Sequence, residues 1–321
     1  MKSLIIRLFT LCLFIQPIYS METTPGNVIS PTISSQESVW TKWIIPSTCL
    51  LGSAATLYYT YTNAEKNINT IIIPALDPVQ SIFSSMHAYF DQLANHTQNP
   101  SFDTDYKNKL QEFSVSLTSA TENFTQQIPS SNVFTKPALA LGLSAFIGTW
   151  SLAKLGGNII NVLYPQTSSA PSQPRTIWQL VKQYGLPALG LYVSATQATN
   201  AYEDLHSLKT ATDVLLEESK RYQNILDTIK NCNQENLYST LNTLHEQNPH
   251  FCYYAATPSK EHALSAAHSL LWILARNPDN NHMLFGPVRE APTHYKNIIL
   301  YSGLAALCTR SLVNSLWAEF A

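Results

Sequence analysis

Apolar residues gather in four stretches of this chain that carry almost no charge. They are Trp43 to Tyr61, Pro137 to Ala153, Gln183 to Ala201 and Asn297 to Trp317, the last holding Arg310. Two long polar regions lie between them, and there apolar residues recur at alternating spacings of three and four. Tyr106, Leu110, Phe113, Leu117, Ala120 and Phe124 form one such stripe; Leu205, Leu208, Thr212, Leu215, Ser219, Tyr222, Leu226 and Ile229 form another. This is the period of a helix laying one face along a partner at a shallow angle. Ile82, Met86, Tyr89 and Leu93, on a helix begun by Asp77-Pro78, offer a partner to the first stripe. Leu237, Leu241 and Leu244 offer one to the second. Each polar region therefore reads as a helical hairpin or short coiled coil. No stretch shows the sustained alternation of a strand. The predicted class is all-α, with apolar, transmembrane helices alternating with amphipathic hairpins.

Each apolar stretch contains a glycine followed three residues later by alanine: Gly52 and Ala55, Gly142 and Ala145, Gly185 and Ala188, Gly303 and Ala306. Only 10 of 321 residues are glycine, so their recurrence in these stretches calls for a reason. Lipid-embedded helices gain little from apolar burial against each other, and small residues let their backbones approach closely. These eight residues are the predicted helix-packing positions. A spanning helix needs roughly 20 apolar residues. The first two stretches come close but are diluted by Ser, Thr and Tyr, and the third holds Gln183, Gln197 and Asn200. Arg310 would cost about 2.5–3.5 kcal/mol at a bilayer centre. Its place two-thirds along the fourth stretch lets it reach the interface instead.

The stretches and polar regions alternate twice, which predicts a weak two-fold internal duplication. Residues 1–20, with Lys2 and Arg7 ahead of an apolar core, read as a signal peptide, and residues 21–38 as a flexible lead-in. Residues 39–164 form the first predicted unit and 177–321 the second, the latter longer by an insert around Cys252 to Pro292. The linker, 165–176, is rich in proline and serine.

Charged residues make up 12% of the chain and its formal net charge is -2, with no basic block, which argues against a nucleic-acid partner. His245, His250 and Cys252, with Cys232 upstream, hold metal-ligand chemistry. The two histidines are five apart across Pro249, wrong for the helical zinc-protease motif. No phosphate-binding glycine loop or nucleophile elbow appears. The sequence thus predicts no catalytic, cofactor or metal residues. It predicts a membrane-anchored helical scaffold that meets lipid, and a protein partner or its own copies, through the hairpins. Two rivals are a small transporter built from two related units and an exported soluble bundle binding lipid or a partner.

Overall fold

The computed structural model describes residues 39–95, 102–128, 131–163, 176–247, 262–280 and 282–320. The signal peptide, the lead-in, nearly all of the linker, and the pair His250 and Cys252 lie outside the described residues. The protein is all-α: among the described residues there is no strand. Its helices are α1 (Ile45–Asn67), α2 (Ile73–Asn95), α3 (Thr104–Gln127), α4 (Thr135–Leu163), α5 (Ile177–Leu180), α6 (Leu186–Lys230), α7 (Gln234–Gln247), α8 (Ala263–Asn280) and α9 (His282–Phe320).

Three wide, π-type turns interrupt otherwise continuous helix, at Trp40–Ile44, Ile68–Ile72 and Val181–Gly185. Each stands two residues ahead of a proline: Pro46, Pro74 and Pro187. Proline has no N–H to donate, and its ring crowds the carbonyl four residues back. Widening the preceding turn removes both conflicts without ending the helix. α1 and α2 consequently form one rod, as do α5 and α6. The expectation that Asp77-Pro78 begins a helix is corrected by this continuity, since Pro78 sits inside α2. The correction also shifts the buried face. Ile68, Ile72, Leu76, Val79, Phe83, Met86 and Phe90 run as one stripe through the wide turn and are fully buried. Of the predicted partner positions only Met86 is among them; Ile82, Tyr89 and Leu93 pack half-buried at its margin.

Where the chain does break, side chains close the helix ends. Asp103 Oδ1 accepts from Tyr106 N at 3.0 Å and starts α3. At α5, Thr176 Oγ1 accepts from Gln179 N while Gln179 Oε1 accepts from Thr176 N, a reciprocal capping box.

Every position of the two long sequence stripes, on α3 and α6, is buried, as are Leu237, Leu241 and Leu244 on α7. The partners are not those of two separate hairpins. α3 packs on α6 as well as on α2, α2 packs chiefly on α8, and α4 packs on α9. Lys42–Ala321 forms one compact unit. The large-residue core runs from Ala64 to Leu141 and from Ala201 to Ile298, and it ends where the four apolar stretches project beyond it.

A candidate membrane-embedded interface and a buried polar ladder

The projecting parts of α1, α4, α6 and α9 form a four-helix sector whose directions follow from specific contacts. Gly142 on α4 lies against Ile298 and Ser302 on α9, Gly303 lies against Thr149, and Gly157 against Arg310, so α4 and α9 run parallel. Ser53 lies against Gly148, and Asn158 Nδ2 donates to Lys42 O at 2.7 Å, so α1 runs antiparallel to α4. Gly190 lies against Cys308, and Tyr184 OH donates to Ser315 O at 3.0 Å, so α6 runs antiparallel to α9. Two antiparallel pairs therefore meet along α4 and α9.

The distribution of residue size in this sector is inverted relative to the core. Its buried residues are small or hydroxylic: Ser53, Ala145, Ser151, Ser194, Ala306 and Thr309. Its large apolar residues face outward, among them Leu51, Leu143, Ile147, Leu189, Leu304 and Leu307. Outside this sector and the turns at its far end, Ile71, Val115 and Val214 are the exposed large apolar side chains among the described residues. Exposed apolar surface gathered this way marks a place of contact with lipid or another protein. Small residues inside and large ones outside is how helices pack when the surroundings are hydrocarbon. α4 and a 30-residue run of α9, Val288–Trp317, are long and apolar enough to cross a membrane. α1 and the apolar part of α6 do not reach that standard, owing to their serines, threonines, tyrosines and amides. Among the described residues, two of the four apolar stretches thus lie in helices that could span by length and composition.

The structure separates the eight predicted packing residues into two groups. Gly142, Ala145, Gly303 and Ala306 line the contact of α4 with α9. Gly52 and Ala55 face outward, with nothing near the place a Gly52 side chain would occupy. Gly185 and Ala188 are also exposed, and Gly185 meets only Val181 of its own helical run. Close helix contacts are made instead at Gly148 and Gly190. A Cβ on Gly190 would come within 2.7 Å of Cys308 Sγ, and one on Gly148 within 3.0 Å of Ser53 Cβ. Sequence reasoning passed over both glycines because neither stands at the repeated spacing.

Charge is confined to the ends of the sector. Glu65, Lys136, Glu203 and Lys296 mark the end nearest the core, and Lys42, Lys154, Lys182 and Arg310 the far end. Between Lys136 and Lys154 α4 rises about 27 Å at 1.5 Å per residue, close to the ~30 Å of a bilayer's hydrocarbon. Arg310 is half-buried, and its Nη1 donates to Trp150 O at 3.1 Å.

A second constellation lies within the hairpin core. His268, Trp272 and Arg276 are four residues apart on α8 and share a face. His268 packs against the Tyr106 ring at 5.0 Å, Trp272 stacks on His87 at 5.5 Å, and Arg276 lies over Trp272 at 5.1 Å. Tyr222 OH donates to Leu271 O at 2.9 Å beside them. His87 Nε2, Tyr106 OH, His268 Nε2 and Trp272 Nε1 are buried and have no hydrogen-bond partner among the described residues. Burial pushes the His268 imidazole down to about 4, so it is neutral at neutral pH, and it holds the Tyr106 phenol well above its usual range. The sequence does carry the i, i+4, i+8 spacing of this ladder. Its partners His87 and Tyr106 come from α2 and α3, which sequence spacing does not relate.

Among the described residues no three His, Cys, Asp or Glu side chains are grouped to hold a metal ion. Cys232 is a buried free thiol, its Sγ 3.0 Å from Thr228 O. No protein-family model, curated protein or solved structure matches this chain.

Proposed function

We propose that this protein is a membrane-anchored helical scaffold. The sector of α1, α4, α6 and α9 sits in the bilayer, and the hairpin core stands outside it as the part that meets a protein partner or a second copy. The observation that carries this reading is that the sector's leucines and isoleucines face outward while its helix contacts are lined by serine, threonine, alanine and glycine. α4 and α9 are the most apolar crossings; because they run parallel, α6 recrosses between them, and α1 lies antiparallel beside α4. The signal-like segment at residues 1–20 is the proposed route into the export pathway.

Carbonate extraction of membranes bearing the tagged full chain tests this, combined with protease protection of the hairpin core. The scaffold reading expects retention in the membrane, with α3 and α7 on one side of it. Quantitative release by carbonate would overturn the reading and leave a soluble bundle with an unusual apolar surface.

A further inference from the structure

We propose that the far end of the four-helix sector binds the headgroup of an anionic phospholipid, held between α4 and α9 by Lys154 and Arg310. This inference rests on the membrane reading above.

Arg310 reaches from α9 across to α4. Its Nη1 bonds Trp150 O, and its Nη2 would stand 3.1 Å from a Cβ on Gly157. The guanidinium therefore lies along the α4 face bounded by Trp150 and Gly157. Lys154 comes four residues after the first and three before the second, so it shares that face. Two half-buried cations thus lie on one face of α4 at the edge of an apolar sector. Residues 43–64, 137–163, 176–202 and 297–317 contain no aspartate or glutamate. Lys154 forms no ion pair within the described protein, and Arg310 has a single neutral acceptor, a backbone carbonyl. Cations held in partly desolvated surroundings with no acidic partner favour a bound anion.

Further cations continue the site outward. Lys182 stands about one turn beyond Arg310, beside the contact of Tyr184 with Ser315, with its Nζ 5.4 Å from the Trp178 ring centroid. Lys42 lies beside Asn158 near the end of α4. Trp178 and Trp317 are exposed at the same end, where indole rings settle among headgroups. A phosphodiester with its acyl chains along the outward leucines of α4 and α9 satisfies both the charge and the apolar surface. A free inorganic phosphate satisfies only the charge.

The test uses the full chain, delipidated in a neutral detergent and titrated with labelled phosphatidylglycerol or phosphatidylcholine. The comparison variant carries Lys154→Gln and Lys182→Gln, neither of which removes a hydrogen bond within the protein. The expected result is a preference for phosphatidylglycerol that weakens with salt and falls about fivefold for each charge removed. Equal binding of the two lipids, or an unchanged preference in the double variant, would overturn the proposal. So would displacement of bound lipid by inorganic phosphate. A chain that resists carbonate yet shows no lipid preference sinks this inference alone, whereas carbonate release sinks the membrane reading beneath it.

Discussion

Gly148 of α4 rests directly on Ser53 of α1, so closely that a Cβ at Gly148 would stand 3.0 Å from the serine Cβ. One residue before Ser53, Gly52 faces open space. The two glycines therefore have opposite tolerance. Gly148→Leu is expected to destabilise the protein in detergent by about 1–3 kcal/mol through overpacking, while Gly52→Leu leaves the unfolding midpoint near the wild-type value. Equal midpoints for the two variants would mean that α1 and α4 do not pack as described.

The inverted sector and the hairpin core respond differently to the same truncation. Leu117 is fully buried in the core, and Leu117→Ala is expected to cost about 2–5 kcal/mol. Leu143 faces outward from α4, and Leu143→Ala should stay within about 0.5 kcal/mol in detergent. If the sector sits in the bilayer as proposed, Leu143→Asp places a charge in hydrocarbon, where it costs about 2.5–3.5 kcal/mol at the centre. Its retention after carbonate extraction should fall while the soluble fraction keeps its helical signal. Normal retention would argue that this face of α4 never meets lipid.

The buried His268 links stability to pH. Its folded pKa is lowered to about 4 against an ordinary 6.5, so the unfolded chain takes up a proton that the native one refuses. The native state holds its full advantage above 6.5 and loses it as pH falls from there toward 4, by about 3 kcal/mol in all. Measuring unfolding of the wild type and His268→Leu across this range checks it. The wild type should lose ground relative to the variant by that amount between pH 7 and pH 4. A constant difference would show that the imidazole is solvated in the native state.

α3 depends on Asp103 to close its first turn through Tyr106 N. Asp103→Ala is expected to cost about 1 kcal/mol, and Asp103→Asn much less, because the amide oxygen keeps the acceptor. Hydrogen exchange at the Tyr106 amide is the readout, with faster exchange in the alanine variant only. Equal protection in both would mean that another group caps the helix.

What the sequence revealed depended on how local the signal was. The stripes on α3 and α6 repeat within one helix, and their burial follows from spacing alone. The Asp77-Pro78 reading failed because a wide turn keeps the helical phase running from Ile68, and such turns leave only a proline two residues later as their mark. At the interface, Gly142 and Gly303 were visible as members of a repeated pattern. Gly148 and Gly190 were not, since what singles them out is the side chain across the gap, Ser53 or Cys308. The ladder of His87, Tyr106, His268 and Trp272 joins three helices, and no one-dimensional spacing connects them.

The interleaving of the core has a bearing on how the chain can be made. Its buried residues begin at Ala64 and include Val288, Ala291, Tyr295 and Ile298 of α9. α2 must wait for α8 to find its main partner across the linker, and α4, which meets α1 first, must wait for α9 to cover its other face. During synthesis the leading rod therefore emerges with its apolar stripe uncovered until nearly the whole chain exists. Such late closure exposes a nascent chain to mispairing. Early lipid contact by α4 would shorten that exposure by fixing one half of the parallel pair before the other arrives.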